Sequence, residues 1–165
     1  MTNSRFDIDL SEVSTERLIC PAGTYEARIA KAELRTGTKD EKNWAILNLT
    51  YAVRDAEVSK FLNVDEPKVF GSIMLSFDKE TEKFSKNNPD FGALMATLGL
   101  TNSGDIFKEG TDDAETQWDY NKIYFTNVAN TLAGYDLLIN VAHRKAFNDP
   151  SRMEAAVTKV AKLEA

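Results

Sequence analysis

The sequence predicts a mainly β domain, because five segments alternate apolar with polar residues and two others are predicted as helices. The clearest alternation covers residues 44–53. One row of this strand is wholly apolar and is expected to face the core. That row consists of Ala45, Leu47, Leu49, Tyr51 and Val53. Trp44 begins the opposite, mixed row, which continues with Ile46, Asn48 and Thr50.

The other four strands have the same period but shorter apolar rows. They are predicted at about residues 24–35, 67–77, 135–146 and 152–163. Gly71 lies inside the third strand and predicts a bulge or a strong curl. The last segment also fits a helix, since Met153, Ala156, Val157 and Val160 follow a helical period. The Asn-Asp-Pro-Ser turn before it favours a hairpin, and therefore a strand.

Two segments have apolar residues at helical spacing. The first begins at Asn88-Pro89, ends at Gly99, and buries one stripe. That stripe is Phe91, Leu94, Met95 and Leu98. A short second helix is predicted around Phe125, Val128, Ala129 and Leu132, ended by Gly134. Residues 54–66 are expected to connect the second and third strands as a mobile loop.

The order of the predicted elements is three strands, a helix, an acidic loop, a short helix and two strands. This order predicts a five-stranded Greek-key barrel of the OB type, with one helix between strands 3 and 4. An unclosed sandwich is the alternative. The length of 165 residues predicts one domain, residues 21–165, preceded by a polar arm, residues 1–20.

The net charge of −6 argues against a polyanionic partner until its distribution is considered. The acidic insertion, residues 101–121, holds six carboxylates and one lysine, so the rest of the chain is nearly neutral. A nearly neutral domain can contain a basic groove. The single cysteine, Cys20, fits a reducing compartment. No apolar run is long enough to span a bilayer, and the polar start predicts no secretory signal, so we expect no membrane contact.

The sequence contains few signals of a catalytic site. His143 is the only histidine, and no phosphate-binding or dinucleotide-binding glycine motif is present. Cys20 is expected to be a small half-buried side chain with no cationic neighbour. The carboxylates of the insertion match no calcium loop and predict a solvated surface. We therefore expect a protein that is not an enzyme and that uses neither a cofactor nor a metal.

Four segments together carry a resemblance: FDIDLSEVS, CPAGTYEARIAKAELRTGTKDEKNWAILNLTYAV, DFGALMATLGL and LAGYDLLINVAHRKAFNDPSRMEAAVTKV. In this order they resemble a family of small bacteriophage OB-fold proteins that bind single-stranded DNA and are encoded among replication and recombination genes. The resemblance implies sequence-independent binding of single-stranded DNA during phage DNA replication, recombination and repair. It also implies that the protein is located in the cytoplasm of the infected bacterial host. Replication or recombination proteins are the expected partners, recruited through the acidic insertion, and a homo-oligomer is left open.

Binders of this kind stack bases on aromatic rings and contact phosphates with cations. In an OB barrel they use the face of strands 2 and 3 with the flanking loops. The candidates for stacking are Trp44 and Phe70. The candidate cations are Lys39, Lys42 and Lys68 at loop ends, Arg28, Lys31 and Arg35 on strand 1, and Arg144 and Lys145 on strand 4.

Each aromatic candidate has an alternative role in packing. Trp44 can pack under a loop or a helix, and a bulge at Gly71 would turn Phe70 into the core. The aromatic residues assigned to the core are Tyr25, Tyr51, Phe77, Phe91 and Phe125. Two other functions fit the same pattern: a protein–protein adaptor whose hot spot is Trp44, and a small virion component.

Overall fold

The computed structural model describes residues 10–12 and 17–163. Its strands are β1 (Gly23–Lys39), β2 (Lys42–Val53), β3 (Lys68–Leu75), β4 (Asp136–Lys145) and β5 (Met153–Ala161). Its α-helices are α1 (Ala56–Leu62), α2 (Pro89–Thr97) and α3 (Gln117–Leu132). Short 3-10 helices lie at Leu10–Glu12, Ser103–Asp105 and Thr111–Asp113. Most of the predicted arm lies outside the described residues.

The five strands form one mixed sheet that closes in a ring in the order β1-β2-β3-β5-β4. All neighbours are antiparallel except β3 and β5, which run parallel and share the single register pair Phe70–Ala156. The predicted mainly β class and the count of five strands are confirmed for the described residues. The last strand is also confirmed, because residues 153–161 pair with β4 and are not helical.

Strand β1 has 17 residues and bends at a bulge, so different parts of it pair with two neighbouring strands. Gly23–Arg28 pairs with β4, and residues 27–39 pair with β2 except at Ala30. The register shifts between Ile29 and Lys31, which leaves Ala30 as the extra residue. The shift changes which residues face inward, from Ala27 and Ile29 before it to Ala32 and Leu34 after it.

Strand β2 supplies the centre of the core, as its alternation predicts. All five residues of its apolar row are buried: Ala45, Leu47, Leu49, Tyr51 and Val53. Burial raises the pKa of the Tyr51 hydroxyl well above its usual range.

The predicted bulge at Gly71 is wrong. The register of β2 against β3 is continuous from Ala45–Leu75 to Ala52–Lys68. Gly71 instead faces inward, where an added Cβ would lie 3.3 Å from Cε2 of Tyr51 and 3.4 Å from Cβ of Val157. The glycine therefore makes room for the tyrosine ring. The bulge near this edge of the sheet lies on β5, between the pairs Asn140–Lys159 and Val141–Val157.

Helix α1 was not predicted, since residues 54–66 were expected to form a loop. Asp55 caps it, because its carboxylate accepts a hydrogen bond from the Val58 backbone N–H at 3.0 Å. Asn63 ends it in the left-handed conformation, with a φ of 54°. Only Val58 of this short helix is buried, so its sequence lacks the repeated stripe that indicates a longer helix.

Helix α2 begins at Pro89, as predicted, and Leu94 and Met95 are buried while Phe91 and Leu98 are half-buried. Asn88 occupies the N-cap position, but its side chain does not cap the helix. Its amide Nδ2 donates to the carbonyls of Ser76 and Ser85, at 3.1 and 2.6 Å. Asn88 therefore fixes the path of the chain into α2.

Helix α3 corrects the prediction of a short second helix. It has 16 residues and begins at Gln117, inside the segment predicted as an acidic loop. Thr116 caps it by accepting from the Asp119 backbone N–H at 3.0 Å. The predicted buried stripe is confirmed, because Phe125, Val128, Ala129 and Leu132 are all buried.

The remaining core predictions are confirmed in part. Tyr51 and Phe125 are fully buried, whereas Tyr25, Phe77 and Phe91 are half-buried and pack against the core. Cys20 was expected to be half-buried, but it is only 3% exposed. None of the described helices combines the length and the apolar character that crossing a bilayer requires.

Candidate nucleic-acid interface

The outward residues of β1, β2 and β3 form a continuous surface, here called the outer face. It consists of rows of register partners that run across two or three of these strands. These rows are Gly37–Trp44, Arg35–Ile46–Met74, Glu33–Asn48–Ser72 and Lys31–Thr50–Phe70. The hydroxyl of Ser72 donates to Oδ1 of Asn48 at 2.9 Å, which ties β3 to β2.

The β1 bulge decides which cations reach the outer face. Arg28 and Lys31 would point to opposite sides of a regular strand, because side chains alternate. The extra residue, Ala30, changes that alternation, so Arg28, Lys31 and Arg35 all point outward and are exposed. The three predicted cations of strand 1 therefore lie on one side of the sheet.

Trp44 lies at one end of the outer face and is half-exposed. Its indole ring rests on Gly37, its register partner on β1. A Cβ added to Gly37 would overlap the ring, reaching 2.8 Å from Nε1. One side of the indole therefore lies on the backbone of the facing strand, and the exposed remainder faces away from it.

Phe70 lies at the other end of the outer face and is 61% exposed. The alternative that places it in the core is wrong, because the register of β3 has no shift at Gly71. Met74 on the same row of β3 is also exposed. Both side chains therefore present apolar surface to solvent on the outer face.

Phe70 also lines a groove of about 540 Å³, here called the end groove. Residues 17–20, the end of α1, the start of β3 and the paired ends of β4 and β5 surround it. Four cationic side chains line it: Arg17, Lys68, Arg144 and Arg152. Exposed apolar side chains lie between them, namely Leu18, Val64, Phe70 and Met153. The end groove thus combines apolar contact surface with positive charge.

Two cations of the end groove have acidic neighbours. Nζ of Lys68 lies 3.8 Å from Glu66, and Nε of Arg144 lies 2.9 Å from Glu154. Both pairs are exposed, and exposed pairs contribute little stability, so a phosphate can replace the carboxylate at small cost. Arg17 and Arg152 have no carboxylate within ion-pair distance among the described residues.

The other predicted cations lie outside the end groove, on β1, β2 and β4. Lys39 and Lys42 face each other across the β1–β2 turn, where Asp40 and Glu41 both have positive φ. Lys31 lies 3.5 Å from Glu33 on the same strand. Lys145, at the end of β4, is exposed.

Arg28 shares its acidic partner with a second arginine. Its Nε donates to Oδ1 of Asp136 at 3.2 Å, and Arg54 lies 3.2 Å from the same oxygen. The arginine therefore ties β1 to β4, where Arg28 and Asp136 are register partners. The structure does not bring its charge to the end groove.

The structure adds five residues that sequence reasoning missed: Arg17, Met74, Phe147, Arg152 and Met153. Phe147 is fully exposed in the β4–β5 turn, next to the strand ends that line the end groove. A large apolar residue inside a polar turn, Phe-Asn-Asp-Pro-Ser, was the available signal. Arg17 was overlooked because it lies in the segment interpreted as a polar arm.

The described residues contain no group of three or more histidines, cysteines or carboxylates that could hold a metal ion.

His143 contacts the Cys20 carbonyl oxygen through Nε2, at 2.8 Å. Burial raises the pKa of the Cys20 thiol, which disfavours the nucleophilic thiolate. The His143 contact ties Cys20 to β4.

In comparisons with known proteins, no family model matches this chain and no curated protein matches its sequence.

Proposed function

We propose that this protein binds single-stranded DNA without sequence preference, in phage DNA replication and recombination. The observation that carries the proposal is Phe70, which is 61% exposed where the outer face meets the end groove. An exposed ring beside several cations is the combination that single-strand binders use for bases and phosphates. The resemblance supplies the phage setting.

The order of the strands supports an OB-type barrel as the finer description of the fold. The ring runs β1-β2-β3-β5-β4, with α2 and α3 between β3 and β4. OB folds are five-stranded Greek-key barrels that bind oligonucleotides on the face of strands 2 and 3. The outer face corresponds to that surface.

The distance between the two aromatic ends of the outer face indicates the length of stacked DNA that would contact both. Trp44 lies six residues along β2 from Thr50, the register partner of Phe70. At about 3.3 Å per residue, this separation is about 20 Å. About six nucleotides at a stacked rise of ~3.4 Å would span it.

Charge limits the affinity that we expect. The chain has a net charge of −6, and several cations of the site have acidic neighbours. Binding should therefore be modest and should weaken steeply as salt releases the phosphate contacts. Duplex DNA should bind less well, because its paired bases cannot stack on Phe70 or Trp44.

A fluorescence titration tests the proposal. Trp118 is half-buried beside Phe77, so a Trp118→Phe variant leaves Trp44 as the reporter. We expect oligo-dT of about six nucleotides or more to change the Trp44 signal at low salt, and duplex DNA of equal length to bind more weakly. Anisotropy of labelled oligo-dT provides a readout that does not depend on Trp44. Absence of binding by both readouts, or equal affinity for duplex, would overturn the proposal.

A protein–protein adaptor is the second candidate. The exposed apolar side chains of Phe70, Met74 and Met153 could serve a protein partner equally well. The two candidates differ in their salt dependence, because an apolar protein interface lacks the steep loss that phosphate contacts produce. The prediction that the chain is not an enzyme stays a prediction.

A further inference from the structure

A second groove lies away from the outer face, between α2, the segment that follows it, and α3. Its volume is about 390 Å³. Its lining is mostly apolar and includes Phe91, Met95, Leu100, Ile106 and Tyr124. We call it the α2–α3 groove. None of its lining residues belongs to β1, β2 or β3, so it is separate from the candidate nucleic-acid interface.

Gly92 lines this groove without a side chain. It lies inside α2, where glycine costs about 1 kcal/mol relative to alanine. Neither backbone conformation nor crowding explains it, because its φ is not positive and an added Cβ would meet no atom within 4 Å. The missing side chain instead leaves space in the lining of the groove.

The acidic insertion, residues 101–121, forms one side of the α2–α3 groove and is held in place. Ile106 is buried and lines the groove, and the next residue, Phe107, is 70% exposed. The buried Asn127 of α3 donates to the Glu109 carbonyl at 2.8 Å. Asp105 accepts from the backbone N–H of Asn102, another lining residue, at 3.0 Å. One carboxylate of the insertion, that of Asp105, is therefore held beside the apolar groove.

We propose that the α2–α3 groove docks a cationic amphipathic segment of a partner protein. Apolar side chains of such a segment would enter the groove and cover Phe107, while its lysines and arginines would face the carboxylates of the insertion. Nucleic acid has the wrong sign of charge for this surface. A second copy of this chain would bring a further net charge of −6 against it.

The probe for this proposal is a labelled peptide, LKKLLKLLKKLLKL, whose leucines and lysines occupy separate faces of a helix. Its control is SKKSSKSSKKSSKS, which has the same charge and no leucine. We expect the leucine peptide to bind the full-length protein at least about tenfold more tightly, measured by anisotropy. Equal binding of the two peptides would show attraction to surface charge alone and would overturn the proposal.

Two variants locate the binding to the groove. Gly92→Leu fills the groove and Phe107→Ser removes the exposed ring, and each should weaken the leucine peptide about tenfold. Gly92→Ala is the matched control, because it changes helix propensity without reaching across the groove, and it should bind as the wild type does. Wild-type affinity in Gly92→Leu would overturn the proposal.

Two further measurements separate this surface from the other candidates. Gly92→Leu should bind labelled oligo-dT as the wild type does, since Gly92 lies outside the outer face and the end groove. If Gly92→Leu lost affinity for oligo-dT, the α2–α3 groove would be assigned to DNA and the proposal overturned. Sedimentation should show no self-association that depends on the groove. A wild-type dimer that Gly92→Leu dissociates would make a second copy the occupant and overturn the proposal.

Discussion

The indole ring of Trp44 lies across the backbone of Gly37, its register partner in the β1–β2 hairpin. Glycine weakens a strand because it has no side chain to cover its neighbours. An aromatic ring on the facing strand supplies that cover, which is a recognised way of stabilising glycine in a sheet. The tryptophan therefore has a structural role on one side, and only its other side is left for a ligand.

This contact predicts the effect of Gly37→Ala. A Cβ at this position would overlap the indole, so the ring must leave its place on the hairpin. We expect a loss of about 1–3 kcal/mol in the free energy of unfolding. In the Trp118→Phe background, quenching of Trp44 by acrylamide should also increase.

Gly92→Ala is the control for that substitution. It adds the same methyl group where no atom lies within 4 Å, inside a helix. We expect an unchanged or slightly higher stability, by up to about 1 kcal/mol. Equal effects of the two substitutions would contradict the contact between Trp44 and Gly37.

Local patterns predicted the parts of the fold that depend on one buried row. The alternation of β2 identified its core face, and the helical stripe of α3 identified residues that are buried. Helix α1 was missed because it buries only Val58 and so shows no repeated stripe. The start of α3 was missed because it lies among the carboxylates of the segment interpreted as a loop, and because it depends on the cap at Thr116.

The candidate site was less predictable, because it depends on contacts between distant segments. Gly71 indicates a bulge when only β3 is considered, but its reason is the Tyr51 ring on the neighbouring strand. Similarly, the end groove combines Arg17 with Arg152. Residues so far apart in the chain share no sequence pattern that would indicate a common surface.

Phe70→Ala should weaken binding of oligo-dT while leaving the fold intact. The side chain is 61% exposed, so little packing is lost. If a base stacks on this ring, affinity should fall by about 1–3 kcal/mol, measured by anisotropy. Phe107→Ala is the matched control, an equally exposed phenylalanine in the acidic insertion, and it should bind as the wild type does. Unchanged affinity in Phe70→Ala would remove this ring from the interface.

Arg152→Ala tests the phosphate contacts of the end groove. Arg152 lines the groove and has no carboxylate within ion-pair distance among the described residues. The slope of log affinity against log salt should therefore become shallower by about 1. Lys108→Ala removes a cation from the acidic insertion instead, and the slope should then stay unchanged. An unchanged slope in Arg152→Ala would show that the DNA does not contact the end groove through this residue.

Asn121→Ala should lower the stability of the protein. The side chain is buried, and its Nδ2 donates to the Glu82 carbonyl at 2.6 Å. The Glu82 side chain in turn accepts from Nδ2 of Asn43 at 2.8 Å, so α3 is tied to β2 through this loop. Loss of the donor leaves a carbonyl unpaired and should cost about 1–3 kcal/mol. Denaturant unfolding measures the loss, and the exposed Asn102→Ala should show almost none.

Asp78 predicts a stability difference that depends on pH. Its carboxylate accepts from the backbone N–H groups of Thr81 and Glu80, at 2.8 and 2.9 Å, and from the Thr81 hydroxyl at 3.1 Å. These bonds favour the charged form and hold the pKa of Asp78 below its usual value of 3.8. Because the folded-state pKa is the lower one, the stabilisation is present above 3.8 and is lost as the pH falls through the folded-state value.

We therefore expect Asp78→Ala to lower Tm relative to the wild type at neutral pH, and the difference to shrink in acid below the usual carboxyl pKa. Lys79→Ala is the control, because it changes the same loop without removing a carboxylate, and its effect should not follow this titration. Thermal unfolding at several pH values measures both. A difference between wild type and Asp78→Ala that stays constant in acid would show that the turn is stabilised by its backbone alone, because the protonated carboxyl would then hold it as well as the charged one.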